Sequence, residues 1–320
     1  MKRILAILWM VVCLVLSGCG EILTESEKPL SVVTTVFPPY DFARAIAGEN
    51  AEISMLLKPG TESHSYEPSP QDILLVESCD LFIYNGGESD IWVETILETM
   101  DNSNLRIIRM MDCTENLSEE HVEGMQTAHT HDHEHEEEFH PELDEYDEHV
   151  WTSPVNAVAI SNAIADALIS IDPKHQEDYR NNAKTYQNAL TSLDKTFRTI
   201  VSQGKTDLIL FGDRFPFRYF AEEYGLTYRA AFPGCSAESE PSAKTVAYLI
   251  DKVKEEGLSH IFYIEFSNQR IARAIQEETG AVPLLFHSCH NISKDEMERG
   301  ITYLDLMEQN AENLKEALSL

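Results

Sequence analysis

Basic side chains are scarce in this chain of 320 residues: 24 Lys and Arg stand against 55 Asp and Glu, a formal net charge of -31 at pH 7. A phosphate backbone demands a basic face, so the balance argues against nucleic acid and suits a surface that collects cations. There is no phosphate loop and no nucleophile elbow, the sequence marks of nucleotide handling and of serine hydrolysis. Cysteine is sparse, six in all, and its spacing fits no zinc-knuckle pattern.

Long apolar runs are confined to the start. Lys2 and Arg3 precede an apolar run from Ile4 to Leu16, and Leu16-Ser17-Gly18-Cys19 has the form of a bacterial lipoprotein cleavage site. The run falls short of the roughly 20 residues that a helix needs to cross a bilayer. The expectation is a signal peptide over 1–19, a lipid on Cys19 and a polar tether over 20–29. That places the mature chain outside the cytoplasm, held to the bacterial cell membrane by its lipid.

What the chain has in quantity is histidine among acids. His64 lies in Pro59-Gly60-Thr61-Glu62-Ser63-His64-Ser65-Tyr66-Glu67-Pro68 and His149 in Asp147-Glu148-His149-Val150-Trp151-Thr152-Ser153-Pro154, with six further histidines between them. Neutral imidazole is a favoured ligand of a borderline metal such as zinc. From Asp112 to His149 there are fifteen acidic residues and no Lys or Arg. Within that tract His129, His131, His133, His135 and His140 follow no apolar periodicity, which predicts a loop able to collect zinc weakly. The run His129-Thr130-His131-Asp132-His133 is one residue short of the zinc-hydrolase pattern and has no strand beside it. An enzyme is therefore not expected.

The remainder alternates strand and helix. β-rich runs at 31–36, 51–57, 80–85 and 105–111 are separated by helical stretches at 40–48, 69–77 and 89–99. A second series has strands at 207–211, 226–232, 260–265 and 282–286, with helices at 216–224, 241–256, 267–279 and 294–318. Such βαβ series imply an α/β fold of mostly parallel sheets in two lobes. Between them, Ser153-Pro154 is a strong helix start. After Asp172-Pro173, Tyr179, Ala183, Tyr186, Leu190, Leu193, Phe197 and Ile200 recur at steps of four and three. This predicts a rigid spine helix of about 40 Å at 1.5 Å per residue, on which both lobes pack. The domain reading is an N-terminal lobe over 30–173 with its His-rich acidic loop at 112–148, a spine over 174–203 and a C-terminal lobe over 204–320.

Cys235 and Cys289 each follow a C-terminal-lobe strand. If both strands are parallel members of one sheet, both thiols lie beyond its carboxyl edge, and a Cys235–Cys289 disulfide is expected in an oxidising compartment. Cys79 and Cys113 sit at opposite strand ends and are expected to be free and buried. His64 and His149 both fall where ligands of open α/β sheets bind. Two imidazoles leave zinc short of four ligands, so the facing lobe or water must complete the shell. Glu62 and Glu67 flank His64 as candidate carboxylates behind it.

The lipoprotein site, Phe37-Pro38-Pro39-Tyr40, the segments around His64 and His149, the spine and Phe217-Arg218-Tyr219-Phe220 together resemble the zinc and manganese solute-binding lipoproteins of ABC importers. The resemblance covers nearly all of the mature chain in order. It implies a metal held between two α/β lobes, with two histidines from the first lobe and one or two ligands from the second. It also implies a monomer partnered with an ABC permease, and the His-rich acidic insertion is typical of zinc-selective members. The chain departs from the pattern in its second lobe. The usual third ligand falls on Arg214, which cannot bind zinc, and its neighbour Asp213 stands equally as a ligand or as an ion-pair partner of Arg214. The last ligand falls near His287, with His290 behind it and Glu265 as a carboxylate alternative. A nitrogen-rich set favours Zn2+ over Mn2+. The implied function is capture of Zn2+ and its delivery to an importer. A manganese-selective importer component, or a surface adhesin or zinc-storage protein using the loop, is the alternative.

Overall fold

The computed structural model describes residues 29–62, 66–100, 104–126, 146–236 and 240–319. Cys19, His64 and the loop histidines His129, His131, His133, His135 and His140 lie outside the described residues.

The first lobe is a parallel sheet of β1 (Leu30–Thr34), β2 (Ala51–Met55), β3 (Leu81–Tyr84) and β4 (Arg106–Arg109), in spatial order β2-β1-β3-β4. Its helices are α1 (Phe37–Ala47), α2 (Pro70–Ser78) and α3 (Ile91–Thr99). Pro38 and Pro39 stand in the first turn of α1, where a missing N–H costs nothing, so that helix begins three residues before its expected start. In α2 a reciprocal capping box between Ser69 and Asp72 sets the N-terminus.

Two helices follow. The first, α4 (Pro154–Ile171), is capped by Ser153, whose hydroxyl accepts the Asn156 N–H. By length and composition it could cross a membrane, yet its stripe of Ile160, Ile164 and Leu168 is fully buried in the core. The spine, α5 (Gln176–Gln203), has 28 residues and buries Tyr179, Ala183, Tyr186, Leu190, Leu193 and Phe197, six of its seven expected positions. It packs on α1 and α4 on one side.

The second lobe repeats the topology. β5 (Leu208–Phe215), β6 (Thr227–Pro233), β7 (His260–Tyr263) and β8 (Val282–Leu285) form a parallel sheet in order β6-β5-β7-β8. The helices are α6 (Arg218–Tyr224), α7 (Ala243–Glu256), α8 (Arg270–Thr279), α9 (Lys294–Arg299) and α10 (Tyr303–Leu318). The expected single helix over 294–318 is two, because Gly300 adopts φ 70° as a C-cap and Thr302 starts α10 with its own capping box. The spine also packs on α10, and one apolar cluster runs from Val32 and Phe42 through Leu190 to Phe220, Phe286 and Tyr303. The lobes thus share a core.

The expected Cys235–Cys289 disulfide is not formed; both are free thiols. Both do lie beyond the carboxyl edge, but they follow β6 and β8, the two outermost strands of the sheet. Three strand spacings separate those strands, about 14 Å, and a disulfide needs Cα atoms within about 7 Å. Cys79 and Cys113 are also free, Cys79 buried and Cys113 half-buried.

Candidate metal centre

In each sheet the strand order reverses between two neighbours, β1 and β3 in the first and β5 and β7 in the second. Crevices of open α/β sheets form at such points, beyond the carboxyl ends. A small cavity of about 30 Å³ lies between the lobes, room for an ion or a water. Its walls include Thr61, Glu62 and His149 from the first half of the chain and Arg214, Glu265, Ser288 and His290 from the second.

His149 is set there by both lobes. The Asn85 side chain, just beyond β3, donates to the Glu148 carbonyl at 2.8 Å, and Tyr219 on α6 donates to the Asp147 carbonyl at 2.8 Å. The Glu148 carboxylate is buried and accepts from the Ser89 backbone N–H at 3.1 Å and from the Ser89 hydroxyl. Gly87 is required beside it: its φ is 93°, and a Cβ there would come within 2.6 Å of Glu148 Oε2. The imidazole is 1% exposed, with Nδ1 3.1 Å from Asp147 Oδ1. Burial pushes the basicity of His149 down, but the charge and hydrogen bond of Asp147, with Glu148 and Glu119, outweigh it and the net shift is upward. Burial likewise raises Glu148 and Glu119, and Asp90 behind them is pushed up to about 7, chiefly by burial and further by Glu148. This buried acidity favours a cation in the cavity.

From the second half of the chain the His290 ring lies edge-on against His149, with centroids 5.4 Å apart, and 4.9 Å from Trp151. Trp151 Nε1 donates to the Ser288 carbonyl at 2.8 Å, binding the segment that carries His290 to the segment that carries His149. Glu265, just beyond β7, accepts from the Ser288 N–H at 2.7 Å and from its hydroxyl. Both the carboxylate and His290 are therefore held at the wall.

His287 and Asp213 are not among the cavity-lining residues. The backbone of His287 is clasped by Asn310, whose Oδ1 accepts its N–H at 2.7 Å and whose Nδ2 donates to its carbonyl at 2.8 Å. Its Nδ1 accepts the Cys289 N–H at 2.9 Å. Cys289 then takes φ 61°, a left-handed turn that carries the chain on to His290. No local signal in the sequence marks a non-glycine residue for that turn. Asp213 lies in the bulge of β5 between Phe211 and Arg214; its Oδ1 accepts the Arg214 N–H at 2.9 Å, and burial raises its carboxyl. Arg214 points into the cavity wall, where Nη1 donates to the Ser236 carbonyl at 3.1 Å and Nη2 to Glu62 Oε2 at 3.0 Å. Among the described residues no three His, Cys, Asp or Glu side chains converge closely enough to hold a metal. A complete shell needs a donor from outside them.

The family model described as ZnuA, zinc-uptake complex component A, periplasmic, matches residues 32–317. The zinc-binding lipoprotein AdcA of Streptococcus pneumoniae (strain ATCC BAA-255 / R6) is 32% identical over 317 residues, 99% of this chain, which spans 61% of that relative's length. The high-affinity zinc uptake system protein ZnuA of Bacillus subtilis (strain 168) is 31% identical over 313 residues, covering 95% of this chain and 94% of its own. Among solved structures, the Zn(II)-bound ZnuA-like domain of Streptococcus pneumoniae AdcA superposes with a TM-score of 0.74 at 28% identity, over 92% of this chain and 100% of that one.

Proposed function

The chain belongs to the ZnuA family of zinc-uptake complex components, and we propose from that premise that it captures Zn2+ between its lobes and delivers it to an ABC importer permease. The observation that carries this reading is the pair His149 and His290, one from each half of the chain, in edge-to-face contact and both lining a small cavity that Glu265 also lines. The proposed donors are His64, His149, His290 and Glu265; since no three of the described side chains converge as the structure stands, the shell forms only when zinc draws them together. Thr61 and Glu62, which precede His64 in the sequence, line the cavity, and this supports the choice of His64. Three imidazoles and one carboxylate are a nitrogen-rich set that suits zinc better than manganese. Zinc is cargo here, and no bond is made or broken beyond those to the ion.

The surrounding acids serve the same end. Asp147 orients the imidazole, and the net negative field of Glu119, Asp147 and Glu148 draws the cation in. A lipid on Cys19 would keep the protein beside its permease. The test is calorimetric titration of the chain from residue 20 with Zn2+ and with Mn2+, beside a His149→Ala, His290→Ala variant. One tight zinc site that disappears in the variant supports the cleft; undiminished binding would move the function to the acidic tract and to storage or adhesion.

A further inference from the structure

The turn that leads into His64 is fastened mainly to the other lobe. Within the turn, the Thr61 N–H and hydroxyl both donate to the Lys58 carbonyl, at 3.2 and 2.5 Å. From the C-terminal lobe come four further bonds. Gly60 N–H donates to the Ile292 carbonyl at 2.7 Å, Asn291 Nδ2 donates to the Lys58 and Thr61 carbonyls at 2.8 and 2.9 Å, and Arg214 Nη2 donates to Glu62 Oε2 at 3.0 Å. The two side chains that reach across are themselves fixed. Asn291 is 2% exposed, and its Oδ1 accepts the Ile292 N–H at 2.8 Å. Arg214 is anchored at its other nitrogen by the Ser236 carbonyl. Asn291 also directly follows His290, so the residue next to one proposed donor holds the approach to another.

We infer that Arg214 and Asn291 are positioning residues that make the 58–62 turn part of the C-terminal lobe, so that setting the cavity wall at Thr61 and Glu62 and closing the cleft are one event. Release then requires the Glu62–Arg214 pair to part. This rests on the reading of the cleft as the zinc site, and it gives the guanidinium at a ligand position a role: the place of a metal bond is taken by an interlobe ion pair. The pair is partly exposed, Arg214 19% and Glu62 44% in their side chains, so its worth is modest and is screened by salt.

The test is a double-mutant cycle on zinc release from the full chain in detergent, followed by stopped-flow chase into a chromogenic chelator. The variants are Glu62→Gln, Arg214→Gln and both together. Each single change also alters the field at the ion, but those separate effects appear equally in the double variant; only the pair is counted twice in the product of the singles. Release from the double variant should be accelerated less than that product by a factor of about five, the scale of an exposed pair, and the factor should shrink in high salt. A double variant equal to the product overturns the inference even if melting temperatures change, since a merely structural contact would move only those. If Arg214→Gln does not fold, Arg214→Lys closes the same cycle, because an ammonium cannot reach both partners. A His149→Ala control separates the two readings: if it leaves zinc binding intact, the cleft reading itself falls, and this inference with it.

Discussion

Asp147 Oδ1 accepts both the backbone N–H of His149, at 2.8 Å, and its ring Nδ1, at 3.1 Å. A carboxylate can only accept, so Nδ1 carries the proton and Nε2 keeps the lone pair that a metal needs. Removing this partner leaves the ring in place but not its tautomer. Asp147→Ala should weaken zinc binding by about 10- to 100-fold, the usual effect of losing an orienting carboxylate. Calorimetry at fixed pH measures it, and an affinity equal to the parent's would show that Asp147 serves the fold alone.

The placement of His290 in the cavity and of His287 outside it separates two variants that look alike in sequence. Structural zinc binding of about 10–16 kcal/mol shared by four donors gives each about 3 kcal/mol, so His290→Ala should cost on the order of 100-fold or more in affinity. His287→Ala should leave the affinity within a few fold. It removes the acceptor of the Cys289 N–H in a buried loop, so its cost should appear in stability, about 1–3 kcal/mol by chemical unfolding. Equal losses of zinc affinity in both variants would place the ligand assignment in error.

The strands, the spine and the α/β class were legible because they rest on periodicity: six of the seven apolar positions on the spine are buried as their spacing requires. The reach of the site into the second lobe was not. Arg214 was visible as a departure, but its partner Glu62 is 152 positions away and nothing local pairs them. The left-handed turn at Cys289, which carries the chain from His287 to His290 at the cavity, has no mark in the sequence. The disulfide failed for a different reason: a shared sheet edge was inferred correctly, while the lateral order β6-β5-β7-β8 that separates the two thiols is a topological fact with no mark in either strand.

Free thiols at Cys79, Cys113, Cys235 and Cys289 make a direct prediction. Alkylation of the denatured mature chain without reductant should add four groups, read by intact mass. The folded chain should label far more slowly, because burial raises Cys79 to about 12 and raises the thiols of Cys235 and Cys289 as well, leaving little thiolate. Two fewer adducts, restored by reductant, would mean that a bridge forms after all.

Asp90 links the buried acids to stability. Its Oδ2 accepts the N–H groups of Asn85, at 2.8 Å, and Gly86, at 3.1 Å, and the Thr35 hydroxyl at 3.4 Å. Even so, burial, with the Glu148 charge added, lifts it from 3.8 to about 7. Between those values the folded state holds the proton while the unfolded state has lost it, so folding stability is full below about 4 and falls as pH rises toward 7. Asp41, Glu119, Glu148 and Asp213 are raised by burial too and act in the same direction. The metal-free chain should therefore resist urea better at pH 5 than at pH 7.5. Since all three donors to Asp90 meet one oxygen, Asp90→Asn can keep them with a neutral amide. It should raise the urea midpoint at pH 7.5 by on the order of 0.5–1 M and at pH 5 by less than half as much. A midpoint that moves equally at both values would mean that Asp90 is ionised throughout and that its three hydrogen bonds outweigh its burial.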